Sequence, residues 1–192
     1  GLLGARLGAG TPSRAAVAGA RIEAIEQLDD RADALWGRAA TPFDVATVRN
    51  ARYLNWRHAD PRAGRTLILG AFEGASGSGG ALLGYAVLRR SGRHANLVDV
   101  LADPDRRGVL APVLAEGAAR MQAAGCGIVT AWLPPGHPDT PSLEGARFLD
   151  VGASLPLELD TPPGQKADAE QLAKFVDTSL RVHVTLGDFD FA

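Results

Sequence analysis

One carboxylate stands in an unusual place in this sequence. Asp99 lies in the middle of the apolar segment LVDVL, whose composition is typical of a buried strand. An isolated carboxylate is costly to bury, so this side chain is expected to be paired or to face a cleft or the solvent. Facing a cleft, it can act as a general base that takes a proton from a nucleophile. The alternatives are a surface-facing position in the strand and an internal ion pair, and the sequence leaves them open.

Two arginines stand at the start of a predicted helix. Arg106 and Arg107 precede Gly108, and the helix runs on to Gly125, a residue type that commonly ends helices. A helix N-terminus presents unbonded N–H groups and a partial positive charge, and a glycine lets a ligand approach the backbone. Arginine adds strong hydrogen bonds to phosphate oxygens. Such a segment can hold a phosphate group, and the alternative is two solvated arginines on a loop.

A third group of side chains lies in the segment ARYLNWRH. Tyr53, Trp56 and Arg57 are candidates for lining a substrate pocket, and the alternative is a helix that packs its aromatic residues on a sheet. The four histidines have no ligand spacing, so we expect no metal site; they are His58, His94, His137 and His183. The single cysteine, Cys126, begins an apolar segment and is interpreted as a core thiol.

The periodicity of apolar residues predicts an α/β fold around these candidates. Residues 1–19 are interpreted as a linker or loosely packed lead-in, and residues 20–192 as a single domain. The predicted strands are 20–28, 65–74, 81–90, 95–103, 126–133, 154–160 and 179–187. The predicted helices begin at Asp30, at Phe43 with Asp44 as the cap, after Asp103-Pro104, near Ser142 and at Asp168. Short connections make the three strands between residues 65 and 103 an antiparallel meander.

Composition narrows the class of protein. The chain has 192 residues, of which 46% are hydrophobic and 22% charged, as in an ordinary globular domain. The formal net charge of -2 lacks the basic excess that nucleic-acid and membrane-surface partners usually require, so neither is expected. One cysteine excludes an intramolecular disulfide, and no apolar run reaches the ~20 residues of a membrane helix. We expect a cytoplasmic protein.

The order of elements, together with one segment, resembles the GNAT acetyltransferase superfamily from about residue 20 to the end. The segment is LADPDRRGVLAPVLAEGAARMQAAGCGIVTAWL, in which Leu101-Ala102-Asp103-Pro104 and Arg107-Gly108 stand where the family has a strand end and its cofactor loop. The segments ARYLNWRHADP and TLGDFDF also resemble a bacterial GNAT-like subgroup associated with surface-polysaccharide synthesis.

The resemblance implies a mixed, mostly antiparallel sheet of about 6–7 strands flanked by helices, and direct acyl transfer from acetyl-CoA or another acyl-CoA to a small-molecule amine, of which a sugar amine is one example. It implies cofactor contacts at a set of strand and loop residues, namely Leu101, Ala102, Arg106, Arg107, Gly108, Val109, Leu110 and Ala111. Asp99 is then the predicted general base, and Tyr53, Trp56 and Arg57 are expected to border the acceptor. No metal is implied.

Two other hypotheses stay open at this point. The first is a non-catalytic GNAT-like binding or dimerisation domain, acting as a homodimer or beside a second GNAT domain in a longer chain. The second is an aminoacyl-transferring relative that recognises a charged tRNA. The near-neutral net charge argues against the second, because nucleic-acid affinity depends on neutralising phosphates.

Overall fold

The structure is a computed structural model that describes residues 2–6, 19–60, 62, 66–74, 79–150 and 180–188. Its strands are β1 (Leu2–Arg6), β2 (Ala20–Ile25), β3 (Val45–Ala46), β4 (Thr66–Glu73), β5 (Leu82–Ser91), β6 (His94–Ala102), β7 (Ile128–Trp132), β8 (Leu149–Asp150) and β9 (Val182–His183). Its α-helices are α1 (Asp30–Ala39), α2 (Ala51–Leu54), α3 (Leu110–Ala123) and α4 (Thr140–Gly145). A π-helical turn (Asn55–Ala59) continues α2, a 3-10 turn (Pro104–Val109) leads into α3, and a second 3-10 turn spans Leu186–Asp188.

Seven of the strands form one twisted sheet in the order β2-β4-β5-β6-β7-β1-β8. The strands β6 and β7 are parallel, and the other neighbouring pairs of this sheet are antiparallel. The remaining two strands, β3 and β9, pair in parallel beside it. The predicted α/β architecture with a mostly antiparallel sheet is confirmed, and the meander β4-β5-β6 lies where the sequence places it.

Side chains alternate between the two faces of the sheet along each strand, and both faces are covered by helices. On one face Leu69, Ala86 and Leu97 pack against α3 residues such as Val113 and Leu114. On the other face the core includes α1 and α2 residues and side chains of β4, β5 and β6, namely Ala32, Leu35, Leu54, Ile68, Phe72, Tyr85, Val87, Val98 and Leu101. A continuous apolar strand pattern is the expected signature of a sheet buried on both sides.

The caps of two helices follow the sequence pattern. The side chain of Asp29 accepts a hydrogen bond from the Arg31 amide at the start of α1, as the aspartate pair at this position predicts. At the other end of α3, Gly125 adopts a φ of 89°, which a residue with a Cβ atom rarely tolerates. The predicted start of α1 and the predicted end of α3 are therefore confirmed.

The predicted second helix begins later than the sequence indicates. Asp44 was expected to cap it, but the Asp44 carboxylate accepts a hydrogen bond from the Arg181 amide and pairs with the Arg181 guanidinium. Residues 45–46 are consequently held as a strand against β9, and the helix starts at Ala51 with Asn50 as its cap. The Asp44 carboxylate binds Arg181 from a distant segment and therefore does not cap the helix, contrary to the prediction.

The two ends of the chain also differ from expectation. Leu2–Arg6, predicted as part of a linker or lead-in, forms β1 and lies between β7 and β8. The predicted strand 179–187 is limited to Val182–His183, because the Asp188 carboxylate accepts the Thr185 amide and closes a turn. The predicted strand 154–160 and the helix at Asp168 lie outside the described residues.

We expect Gly4→Pro to test the place of β1 in the sheet. Gly4 is paired with Thr130 on one side and Leu149 on the other, so proline removes a ladder donor between two strands. The free energy of unfolding, measured by urea denaturation, should fall by about 1–3 kcal/mol. Gly79→Pro, at an exposed glycine outside the strands, is the control. An equal loss in both variants would contradict the pairing.

Candidate functional site

A β-bulge in β6 sets the geometry of the site. Val87 of β5 pairs with Asp99 and Leu88 pairs with Leu97, so Val98 is the extra residue in β6. A bulge turns two consecutive side chains to one face of the sheet. Val98 packs in the core on the α1–α2 face, and Asp99 contacts Tyr85 of that same core.

The strands β6 and β7 separate just beyond this point. Their parallel pairing joins His94–Leu97 to residues 128–131, whereas β6 continues to Ala102. Within the described part of the chain, no strand pairs with β6 after Leu97 on the β7 side. The Val100 amide donates a hydrogen bond to the Asp99 carboxylate at 2.9 Å. The sheet therefore opens between β6 and β7 immediately before the loop that carries Arg106 and Arg107.

The segment 182–188 bridges the two diverging strands. Thr185 Oγ1 lies 3.3 Å from the Asp99 carboxylate on β6. On the other side, His183 Nδ1 lies 2.8 Å from Nε2 of His137, which belongs to the loop after β7. At Gly187 a Cβ atom would stand 2.5 Å from the Val98 carbonyl oxygen, so only glycine fits there. The gap in the sheet is thus lined by this segment.

Asp99 forms a buried ion pair. Its carboxylate lies 3.2 Å from Arg49 Nε, and both side chains are 1% exposed. The hydroxyl of Tyr85 also lies 3.2 Å from it. Burial alone would raise the pKa of Asp99, but the Arg49 guanidinium and His58 hold that pKa below its usual value, so the group is an anion. The internal ion pair that the sequence left open is therefore present, and the role of Asp99 as a base stays a prediction.

Arg49 also links the Asp99 carboxylate to the segment 182–188. Its Nη2 atom donates to the Asp188 carboxylate at 2.5 Å, and its Nη1 atom donates to the Thr47 carbonyl. The Asp188 carboxylate also accepts the Thr185 amide. One buried guanidinium thus joins β6, the segment before α2 and the segment 182–188.

His58 stands beside Asp99 with one ring nitrogen unused. Its Nε2 atom is 3.5 Å from the Asp99 carboxylate, and the side chain is 1% exposed. The Nδ1 atom is buried and has no hydrogen-bond partner among the described residues. A neutral imidazole that donates from Nε2 keeps a lone pair on Nδ1. The arrangement is that of a histidine oriented by a carboxylate, which the sequence spacing did not indicate.

A second buried polar cluster lies across the gap. His137 and His183 stack with Phe43 at ring centroid distances of 5.5 and 4.8 Å. Burial lowers the pKa of His137 to about 3, helped by the positive charges of Arg107 and Arg49. Burial likewise holds the pKa of His183 well below its usual value. Both rings are therefore neutral at physiological pH.

The predicted phosphate loop is more structured than expected. Helical geometry already begins at Pro104, where the Asp103 carboxylate caps the 3-10 turn through the Asp105 amide. The Arg106 amide donates to the Asp103 carbonyl, and the Leu110 amide donates to the Arg107 carbonyl. These two amides, expected to be unbonded at a helix N-terminus, are satisfied within the turn, and the expectation is corrected.

The predicted cofactor residues differ in exposure. Four of them are buried in the core, namely Leu101, Ala102, Val109 and Leu110. Arg107 donates to the buried Asp139 carboxylate at 2.5 Å, whereas Arg106 is 40% exposed and has a looser contact of 3.6 Å with Glu73. Ala111 is partly buried, and a Cβ atom on Gly108 would meet nothing within 4 Å. Arg106 is therefore the more accessible of the two predicted phosphate ligands.

The predicted acceptor residues share one short helical segment. Trp56 is 63% exposed, and its ring lies 5.9 Å from the half-buried Tyr53 ring. Arg57 donates to the Gly187 carbonyl at 2.8 Å, so it supports the turn over the bulge. The structure brings these residues near the segment 182–188, and their contact with a substrate stays a prediction.

A groove of about 610 Å³ opens where β6 ends. It lies between the end of α1 and the loop after β6, and its lining includes Arg38, Thr41, Asp103, Asp105 and Arg181. Its volume is in the range of small-molecule sites. Arg38 forms a 2.6 Å ion pair with Asp103 at its floor.

The described residues contain neither a metal-binding cluster nor a membrane-spanning helix. No three His, Cys, Asp or Glu side chains there come together in a way that could hold a metal ion. No helix in the same part of the chain is long and apolar enough to cross a bilayer.

Comparisons with known proteins support the fold. No protein-family model matches the chain, and no curated protein matches it in sequence. Among solved structures it is similar to a GCN5-related N-acetyltransferase from Sphaerobacter thermophilus, with a TM-score of 0.54 and 17% sequence identity. The match covers 77% of this chain and 47% of that chain, so this chain spans about half the length of that structure. The protein thus has a GNAT-like fold.

We expect Arg49→Met to be strongly destabilising, because it leaves the Asp99 carboxylate buried without its counter-charge. The loss in the free energy of unfolding should be about 3–5 kcal/mol by urea denaturation. Adding Asp99→Asn should recover part of that loss. Arg31→Met, which removes the exposed pair with Asp29, should cost under about 1 kcal/mol. Equal losses in Arg49→Met and Arg31→Met would contradict this account.

The ion pair also predicts a pH dependence of stability. Because the folded pKa of Asp99 is lowered, its contribution is fully present above the unfolded pKa, about 3.9, and is lost as pH falls towards the folded value. The difference in unfolding free energy between wild type and Asp99→Asn should therefore be constant from neutral pH to about pH 5 and shrink below about pH 4. A difference that grows on acidification would refute this sign.

Proposed function

We propose that this protein is an acyl-CoA-dependent N-acyltransferase that transfers an acyl group, most simply acetyl, directly to an amine. One observation carries the proposal: β6 runs on after β7 has diverged, and it leads to the loop that carries the partly exposed Arg106. An extended ligand with amide groups can pair with an unpaired strand edge in the manner of an added strand. The pantetheine arm of coenzyme A is such a ligand, and it ends in a phosphate-bearing portion.

The charged end of the coenzyme would lie toward the loop after β6. Arg106 is available for a pyrophosphate oxygen because its contact with Glu73 is long and exposed. Arg107 is held by the buried Asp139, so its part is to fix the loop and add positive charge there. The groove lined by Asp103 and Asp105 adjoins this loop and has room for a further part of the coenzyme.

The proton of the attacking amine has an acceptor in this arrangement. The nitrogen–carbon bond forms as the carbon–sulfur bond breaks, the electron pair leaves on sulfur, and the amine proton must be removed. His58 Nδ1 carries a lone pair without a partner among the described residues, and Asp99 stabilises the imidazolium that forms. The predicted role of Asp99 as base is thus proposed to act through His58.

The amine itself is expected to enter past the helical segment after Asn50. Tyr53 and Trp56 offer aromatic surface there, and Trp56 is 63% exposed. Exposed aromatic side chains are common in binding sites because they add contact area at little cost in conformational entropy. A sugar amine would suit such a surface.

A non-catalytic role is the alternative, and one observation favours it. The residues of β6 after Leu97 are buried, and the Asp99 carboxylate is already contacted by Arg49, Tyr85 and Thr185. A domain of this kind could serve for binding or as a homodimer, or beside a second GNAT domain in a longer chain. Coenzyme binding separates the two hypotheses.

Titration with acetyl-CoA in a calorimeter tests the proposed function. We expect binding in the micromolar range that Arg106→Ala weakens about tenfold, since a charged hydrogen bond to phosphate is worth about 1.5–3 kcal/mol. Arg120→Ala is the matched control, because Arg120 is also an exposed arginine paired with a glutamate. Absence of binding at millimolar acetyl-CoA would reject the acyltransferase and favour the non-catalytic domain.

His58→Gln tests the proton acceptor. Glutamine can still donate to Asp99 but offers no basic nitrogen, so kcat with an amine acceptor should fall by about 10²–10⁴ at neutral pH. The Kd for acetyl-CoA should change little, because His58 is not proposed to contact the coenzyme. His94→Gln, at an exposed histidine, is the control. Wild-type kcat in His58→Gln would exclude the assignment.

A further inference from the structure

The hydrogen bonds of the second buried cluster fix the tautomers of two histidines. The Asp139 amide donates to His137 Nδ1 at 3.1 Å, so that nitrogen carries a lone pair. His137, being neutral, then has its proton on Nε2 and donates it to His183 Nδ1 at 2.8 Å. His183 is neutral for the same reason of burial, so its own proton must be on Nε2. The direction of donation therefore runs from Asp139 through His137 to His183.

The last donor in this series is the Nε2–H group of His183. The residue is 0% exposed, and its Nε2 atom has no acceptor among the described residues. An unsatisfied buried N–H group is unfavourable and rare in folded proteins. The Phe43 ring packs on both imidazoles and limits their rotation, so the donor is held in place.

His183 lies in the segment between the two diverging strands. His183 is two residues before Thr185, which contacts Asp99 on β6, and it contacts His137 in the loop after β7. It therefore belongs to the segment that spans the gap between the two diverging strands. The proposed function places the pantetheine arm along the β6 edge of this gap with its phosphates toward Arg106, so the thioester end would lie nearer Leu97, where the gap begins.

We propose that His183 Nε2–H is a hydrogen-bond donor to the thioester carbonyl oxygen of the acyl donor. The inference rests on the proposed function and adds a residue to it. Attack on the carbonyl carbon moves negative charge onto that oxygen, and a donor already fixed in a dry site stabilises the charge without reorganisation. A neutral imidazole suits this task, because it donates a hydrogen bond without placing a second cation beside the attacking amine.

His137 and Asp139 are positioning residues in this account. His137 occupies His183 Nδ1, which prevents the other tautomer, and the Asp139 amide does the same for His137. Arg107 holds Asp139 through its carboxylate, so the loop proposed to meet the phosphates and the donor proposed to meet the carbonyl are joined by direct contacts.

Infrared difference spectroscopy of acetyl-CoA carrying an isotope label at its carbonyl is the direct test. On binding to the wild-type protein, the carbonyl band should move to lower frequency, as it does when the oxygen accepts a hydrogen bond. The shift should be lost in His183→Phe and largely kept in His183→Gln, whose side-chain amide can donate from a similar position. With an amine acceptor, His183→Phe should lower kcat by about 10²–10³ while leaving the Kd for acetyl-CoA nearly unchanged.

The outcomes separate the inference from the function on which it rests. If acetyl-CoA does not bind the wild-type protein, the proposed function fails and this inference fails with it. If acetyl-CoA binds but its carbonyl band is unshifted, or is shifted equally in His183→Phe, the N–H holds a buried water instead and only the inference is overturned. If His183→Phe does not fold, an unshifted wild-type band still overturns the inference, and His183→Leu provides the comparison for a shifted one.

Discussion

The buried ion pair between Arg49 and Asp99 is the constraint on which the rest of the site depends. Neither side chain is exposed to solvent beyond 1%, so each charge requires the other. Arg49 also binds Asp188, and Thr185 contacts both carboxylates. A single charged centre therefore holds the C-terminal segment against β6, and the sheet can open between β6 and β7 without exposing its interior.

The bulge at Val98 explains why that centre is located in the middle of an apolar strand. Without the extra residue, regular alternation would turn Asp99 to the opposite face from Val98, toward the aliphatic core against α3. With it, Asp99 meets Tyr85, His58 and Arg49 on the other face. The close approach of Gly187 to the Val98 carbonyl then seats the turn on the bulge. Local backbone irregularity thus determines which side chains surround the carboxylate.

Histidines on the two sides of the gap differ in what they offer. His58 is oriented by an anion, and its Nδ1 lone pair has no partner in the part of the chain that the structure describes, which suits proton acceptance. His183 is kept neutral by burial and by nearby arginines and presents an N–H group, which suits stabilisation of a developing negative charge. The partner of one ring nitrogen thus decides whether the other nitrogen offers a lone pair or an N–H group.

The sequence by itself determined the α/β class, the meander, α1 with its Asp29 cap and the end of α3 at Gly125, because these depend on periodicity and on local backbone preferences. It also marked Asp99 as a carboxylate that needs a partner. Tertiary structure alone decided which partner, since Arg49 and Thr185 lie 50 and 86 residues away in sequence. It likewise decided that Asp44 binds Arg181 instead of capping a helix, that Leu2–Arg6 joins the sheet, that His58 meets Asp99, and that His137 meets His183. Contacts between distant segments leave no local pattern, and so no spacing in the sequence could reveal them.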